Sequence, residues 1–549
     1  MRRLTPLLLV LALLLTGCGP AGGKHAAGSA EDLVLAENGE TRFRIVYASG
    51  CPQETLDSAG YLQREIARLT GAALELCEDM AVGASEESWE ILLGATDRSE
   101  DDLTFDELQR TGEYLVCVQG RKLTVGAALN DCLSEAVQEL CDVLGEYLGG
   151  GRLCLPAEFT LSGGIFDTPA AELPPVRGGS FLGACDAGNG SELLIYRADS
   201  RVCDSYLETL EAAGYTRYSE NEIDGNRYFT YLGSDQTLTV MDNPALDTVR
   251  ISVDPREYRL DREAAQYSAA VTPSVTMLGL EGYDTSGTPN QNGLSLLYQL
   301  CDGSFIVVDG GHNVDLAADQ LYETMAALAP DPNDITIAAW IITHSHNDHA
   351  GAFMNFRRNH ALEVKLEKLL VNFPSDKQYS ASSTSTYYRE NVLSDVMYYP
   401  GAEVIKVHPG QVFYLRDAVV EILYTLDLYE PAGLADFNDS SVVCTVSLGG
   451  QKLLQTGDCG IMTSDILVIL YPQALQCDIL QVSHHGYQGG TEELYRAVDP
   501  LYVLWPSGSS TCNTGKNGSN NTWLLNESHM RQLWVARDDI YTLRLPISD

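Results

Sequence analysis

Ala338-Ala339-Trp340-Ile341-Ile342-Thr343-His344-Ser345-His346-Asn347-Asp348-His349-Ala350-Gly351 puts three imidazoles and a carboxylate within six positions, directly after an apolar run. The run reads as a buried strand, and the polar cluster as its strand-to-helix loop. One strand end has no packing use for so many histidines. Residues two apart in an extended loop point the same way, so His344 and His346 can grip one metal while Asp348 and His349 face a second. Imidazole and carboxylate suit Zn²⁺, and two ions about 3.5 to 4 Å apart can share a hydroxide. Upstream, Phe305-Ile306-Val307-Val308-Asp309-Gly310-Gly311 is a second buried strand, closed by an acidic residue and a glycine turn.

Downstream, Leu453-Leu454-Gln455-Thr456-Gly457-Asp458 is a strand ending in Gly-Asp, and Ile479-Leu480-Gln481-Val482-Ser483-His484-His485-Gly486 is one ending in paired histidines. Together these motifs resemble the metallo-β-lactamase superfamily. The resemblance implies an α/β fold, an αββα metallo-β-lactamase sandwich over residues 271–549, preceded by two smaller α/β or α+β domains. It also implies a site with two zinc ions, or manganese. His344, His346 and Asp458 would hold one ion; Asp348, His349, His485 and the shared, bridging Asp458 would hold the other. Asp348 then counts as both ligand and catalytic group. His485 is taken as the ligand and His484 as the neighbour that contacts substrate or donates a proton, although the two could be exchanged. Asp309, by the same resemblance, orients the ligand loop and binds no metal.

Many members supply a further histidine between the first cluster and the Gly-Asp. The one in the right interval is His408, in Val407-His408-Pro409-Gly410, a turn where a surface histidine is the commoner case. Phe437-Asn438-Asp439-Ser440-Ser441-Val442-Val443, taken with the other motifs, resembles the hydrolase domain attached to the competence DNA-uptake channel and the teichoic-acid phosphorylcholine esterases. That branch places Asn438 near the metals; a turn-forming Asn is the alternative. Cys459, beside the bridging aspartate, reads as a packed thiol. Lys377, Tyr379 and the Ser-rich stretch to Thr386 fall in a long loop of the kind that often contacts substrate.

At the amino terminus, Met1-Arg2-Arg3, an apolar run over residues 7–15 and Leu15-Thr16-Gly17-Cys18 read as a signal peptide over residues 1–17. The run is shorter than the roughly 20 residues of a membrane-spanning helix. The segment resembles a bacterial lipobox, which implies lipidation of Cys18, a flexible tether over residues 18–30, and an extracytoplasmic protein held to the membrane by that lipid. Residues 31–165 read as an α/β domain: a strand over 42–48, a helix over 55–70, a strand over 90–96, a hairpin turning at Gly120, and a helix over 131–148. The phrases Ala59-Gly60-Tyr61-Leu62-Gln63-Arg64-Glu65-Ile66 and Ile91-Leu92-Leu93-Gly94-Ala95-Thr96 resemble the accessory domain that precedes the barrel in hexosaminidases and α-glucuronidases. Residues 166–270 read as a small α+β module without chemistry of its own, with Asp204, Tyr206 and Glu208 on its surface.

The 549 residues carry a formal net charge of -41. Such acidity repels polyanions, and no basic cluster offsets it, so a small-molecule or cell-wall polymer substrate is expected rather than nucleic acid. The 14 cysteines show no C-x-x-C pair and name no disulfide framework. The functional expectation is an extracytoplasmic dinuclear-zinc phosphodiesterase acting through a bridging hydroxide. The alternatives are a hydrolase of another ester, a lactone or a β-lactam, and a glycan-binding surface lipoprotein whose metal site is structural or degenerate. Metal content measured together with turnover separates these classes.

Overall fold

The computed structural model describes residues 32–548, except 86, 101–107, 109–111, 128–129, 166–167, 256–266, 284–288, 376–377, 379–382, 430–433, 435, 488, 508–519 and 537–539. The leader, the tether, Cys18, Lys377 and Tyr379 lie outside the described residues. Among those described, no helix is long and apolar enough to cross a membrane.

The apolar runs of the carboxy-terminal half are buried on both faces because each strand serves two cores. In Phe305–Val308, Ile306 and Val308 point to a core between two sheets, while Phe305 and Val307 point to a core beneath helices. Leu453 and Leu454 divide in the same way on the second sheet, as do Ile479 and Leu480. The first sheet centres on Ile335–Ile341, flanked by Phe305–Val308 and Lys368–Val371, both parallel to it. The helices Asp315–Leu328, Asn347–His360 and Ser383–Asp395 cover its outer face, packed on Trp340, Phe353 and Phe356. The second sheet runs from Val412–Leu415 to Gln532–Val535, with Gln451–Gln455, Ile479–Gln481 and Tyr502–Trp505 parallel at its centre. The helices Ile461–Leu470 and Glu492–Val498 lie on its outer face.

Before this sandwich come a small sheet of Leu33–Glu37, Arg152–Leu155 and Leu148–Gly149 and two six-stranded sheets. The first six-stranded sheet has the order Glu75–Glu78, Arg44–Tyr47, Glu90–Leu93, Lys122–Ala127, Glu113–Gln119, Thr160–Gly164, with the helices Gln53–Thr70 and Asn130–Leu144 packed on it. Buried Glu90 meets Arg44, Arg98 and Lys122; burial alone would raise its pKa, but the three cations hold it near about 2. The second is an antiparallel sheet of six strands between Ser180–Gly188 and Thr216–Ile223, with the helix Ser200–Ala212, whose first amides bond to the Asp199 carboxylate. Leu194 and Tyr196 of this sheet belong to the amino-terminal core, whereas Leu193 and Ile195 join the carboxy-terminal core. The middle module is thereby wedged between its neighbours. Tyr206, expected at the surface, is buried in the helix face that meets this sheet, while Asp204 is exposed and paired with Arg227 at 2.8 Å.

Candidate metal centre

Parallel pairing of Val308 with Ile341 brings the chain leaving each strand to the same edge of the sheet. Asp309 thus arrives beside Thr343. Its carboxylate accepts the Thr343 backbone N–H at 2.8 Å and the Thr343 hydroxyl at 2.9 Å, and faces His349 Nδ1 at 2.9 Å. Three anchor points on one carboxylate fix both the loop and the His349 ring. The helix Asn347–His360 starts directly after His346, so Asp348 and His349 sit in its first turn, under the loop.

From the second sheet, Gly457 turns with φ of 53°, and a Cβ there would lie 3.0 Å from Thr343 Cβ, so only glycine allows the two sheet edges to close on each other. Gln481 holds this turn, accepting the Thr456 and Gly457 amides at 2.8 and 2.9 Å. Asp458 follows, its backbone N–H donating to Ser441 Oγ at 3.1 Å. Asp439 Oδ1 accepts the Gly460 and Thr463 amides at 3.0 and 3.1 Å and ties the next helix to the same edge. His484 and His485 both adopt left-handed φ, 50° and 54°, a strain of about 1 to 3 kcal/mol each that packing must offset. Gly486 continues the run at φ 77°, pressed against the Trp505 ring where a Cβ has no room. This tight reversal drives His485 inward, 1% exposed, and leaves His484 27% exposed at the rim.

The cluster is dense. His344 Nε2 lies 3.0 Å from His346 Nδ1, and His349 Nε2 lies 3.1 Å from both His485 Nε2 and Asp458 Oδ2. His485 Nε2 is 3.5 Å from Asp348 Oδ2 and 3.5 Å from Asp458 Oδ2. His484 Nε2 sits 3.4 Å from Asn438 Nδ2 and 3.9 Å from Asp458 Oδ2, outside the ligand groups. Two triads have ligand atoms within 4.8 Å of one another: His344, His349, Asp458 and Asp348, His349, His485. The partition therefore differs from the expected one, because Asp309 turns His349 to the centre, where it belongs to both triads. His346 faces His344 Nε2 and leans on Phe437, ring centroids 4.9 Å apart, and belongs to neither triad.

Residues 290–504 match the family model described as the metallo-beta-lactamase superfamily. The carboxy-terminal domain has the metallo-β-lactamase fold. Members of this superfamily are in general metal-dependent hydrolases. ComE operon protein 3 of Bacillus subtilis (strain 168) is 25% identical over 174 residues, 31% of this chain. The matched part spans 20% of that relative's length. Among solved structures, the metallo-beta-lactamase fold protein YhfI of Bacillus subtilis is 15% identical, with a TM-score of 0.27, covering 43% of this chain and 85% of its own. CmlA, a diiron beta-hydroxylase from Streptomyces venezuelae, is 13% identical with a TM-score of 0.30, covering 53% of this chain and 55% of its own.

The residues of the metallo-β-lactamase domain fit a divalent ion. His349 Nδ1 faces the Asp309 carboxylate and His485 Nδ1 faces the Pro506 carbonyl at 3.1 Å, so in the neutral rings both protons belong on Nδ1. Two bare Nε2 lone pairs then oppose each other at 3.1 Å, an arrangement that a cation between them relieves. Asp458 Oδ1 is buried without a hydrogen-bond partner. Without metal, protons take the cation's place: burial would lower the His349 pKa, but Asp458 and Asp309 override it and hold it well above the usual value. His344 goes the other way, lowered by burial and by His349 and His346, and so presents a neutral donor. Metal binding accordingly displaces protons.

His312, which sequence reasoning missed, is buried 3.3 Å from Asn347 Nδ2, and the charges of Asp348, His485 and His349 act on it. The signal was present: it directly follows Asp309-Gly310-Gly311. His408 corrects the expectation of a surface turn. It is fully buried, with Nδ1 2.5 Å from Asp427 and Nε2 2.7 Å from Asp254, so both ring nitrogens are occupied and neither is left for a metal. Cys459 is a buried thiol, its pKa pushed up by burial to about 12.

Asp309→Asn tests the orienting contact. Its amide cannot accept from both Thr343 and His349 as the carboxylate does, so metal affinity is expected to fall about 10- to 100-fold. Competition with a chelator measures this, and unchanged affinity removes Asp309 from the account.

Proposed function

We propose that this protein is an extracytoplasmic, lipid-anchored phosphodiesterase with a dinuclear zinc or manganese centre, acting on small molecules or cell-wall polymers. The observation that carries the reading is the pair of overlapping triads that share His349, together with a buried Asp458 Oδ1 that has no hydrogen-bond partner among the described residues. Divalent ions bound there supply Lewis acidity toward a phosphoryl oxygen and a water acidified to a pKa of about 7. The chain's own groups do the rest. Asp309 holds the proton on His349 Nδ1 and keeps Nε2 turned to the centre. His484, at the rim, is the group that meets substrate there, its Nε2 accepting from the Asn438 amide at 3.4 Å. The phosphodiester class is supported by the motif likeness to the competence and phosphorylcholine esterase branch and by the partial similarity to ComE operon protein 3. The net charge of -41 speaks for substrates other than nucleic acid. The location outside the cytoplasm rests on the leader-like residues 1–18.

Elemental analysis of the purified protein, run beside hydrolysis of bis(p-nitrophenyl) phosphate, tests the reading. About two metal ions per chain with turnover is the expected result. Two ions without turnover on a panel of phosphodiesters would move the substrate to another ester class, and absence of metal would end the mechanism.

A further inference from the structure

We propose that the catalytic domain and the middle module together build a binding cleft for a neutral, hydroxyl-rich substrate arm, a sugar or polyol oligomer, with Arg389 at its mouth. The proposal rests on the reading of the metal centre as a hydrolase site.

The strands Ile335–Ile341 and Lys368–Val371 are parallel neighbours, with Trp340 opposite Leu369, so residues 372–375 emerge beside the His344 to His346 loop. A small pocket there is lined by Ser345, Phe437, Thr386, Pro374, Ser375 and Arg389. Ser345 lies between two candidate ligands, and Phe437 packs on the His346 ring. Pro374, Ser375 and Arg389 also line a much larger cleft of about 1140 Å³. Pro374, Ser375 and Arg389 thus border both spaces. The far wall of the cleft is the middle module's hairpin, with Asp186, Asn189, Ser191 and Glu192. That wall is fixed to the catalytic domain: Ser375 Oγ donates to the Asp186 carbonyl at 2.6 Å and Lys406 Nζ to the Ala187 carbonyl at 2.7 Å. A wall set before ligand arrives lowers the ordering cost of binding.

Arg389 is 16% exposed and donates to the Pro374 carbonyl at 2.9 Å. Its helix is tied to the metal-bearing helix by Tyr388 Oη donating to Asn347 Oδ1 at 2.8 Å. The Arg389 side chain belongs to the wall that the cleft shares with the small pocket beside the ligand loop. Asp186, Glu192 and the exposed Glu390 also line the cleft, three carboxylates against one cation among the described lining residues, which repels a polyanionic chain. Carboxylates accept hydrogen bonds from hydroxyls, while Phe373 and Leu393 offer apolar faces to ring carbons. The volume exceeds the roughly 300 to 1,000 Å³ of a small-ligand pocket, which suits an oligomer rather than one ring.

The test is calorimetric titration of the zinc-loaded full chain with chitotetraose and with a glycerol phosphate oligomer of equal length. The neutral sugar is expected to bind, and the anionic oligomer to bind at least about tenfold more weakly. Ser394→Trp, which fills the cleft from an exposed helix position, and separately the surface change Glu390→Lys, should each weaken sugar binding about tenfold. Preference for the anionic oligomer, no sugar binding, or sugar binding untouched by both variants would overturn the proposal. Turnover of bis(p-nitrophenyl) phosphate, which lacks such an arm, reports on the metal centre separately. Turnover without sugar binding sinks the cleft and keeps the hydrolase; sugar binding without turnover does the reverse.

Discussion

Asp458→Ala is expected to strip metal from the protein and to lower hydrolysis on the order of 10³-fold, the scale on which losing one directly acting polar group is felt. The carboxylate reaches both His349 and His485, at 3.1 and 3.5 Å, and its other oxygen has no hydrogen-bond partner among the described residues. Removing it dismantles the triad of His344, His349 and Asp458 and leaves Asp348 as the carboxylate facing His485. Asp458→Asn keeps the shape and loses the charge, so its metal content separates electrostatics from packing. Metal content and turnover that survive Asp458→Ala would refute the dinuclear reading.

The second large effect belongs to the ion triad of His408, Asp254 and Asp427, where the middle module meets the catalytic domain. His408→Ala leaves two buried carboxylates without their shared cation, at a cost of about 3 to 5 kcal/mol. Lys406 acts on both carboxylates as well, and Arg250 donates to the Asp427 carbonyl at 2.7 Å, so the loss falls on a joint with few other cations. Burial would lower the His408 pKa, yet the two aspartates raise it to about 9. A pKa raised on folding contributes stability that is complete below about 6.5 and disappears as pH climbs through about 9, on the order of 3 kcal/mol here. The carboxylates behave oppositely: Asp427, held near about 2 by His408 against the effect of burial, contributes above about 4 and loses that contribution as pH falls through 2. The thermal midpoint of the native protein should therefore decline between pH 6.5 and 9, and that of His408→Ala should lack this decline. Parallel pH profiles for the two proteins would refute it. Combining Asp254→Asn and Asp427→Asn with His408→Leu removes the charges together and should recover part of the loss.

The metal cluster was legible because its donors crowd into short motifs at strand ends, where packing offers no rival explanation. Asp309, His344, Asp348, Asp458 and His485 could be read one motif at a time. His312 escaped because its one local signal, its place directly after Asp309-Gly310-Gly311, is weaker than a paired motif, although the fold carries it to the others. His408 was misread for a different reason: its partners are 154 and 19 residues away, and nothing local to Pro409-Gly410 announces two buried carboxylates. Tyr206 was misplaced because it lies on the inner face of its own helix, near Tyr196 and Tyr215 of the same module. The sharing of His349 between triads was beyond spacing altogether, since it depends on how Asp309 turns the ring.

Leu193, Ile195, Tyr228 and Met241 of the middle module pack into the same core as Leu423, Tyr471, Leu480 and Trp505 of the catalytic domain. A gene fragment beginning at residue 271 would carry every metal ligand and still be the wrong piece to express. Its back would be an uncovered oily surface, ready to stick to the next copy in the tube. The cover for that surface is borrowed from a neighbour, and the smallest self-standing piece includes the module that supplies it.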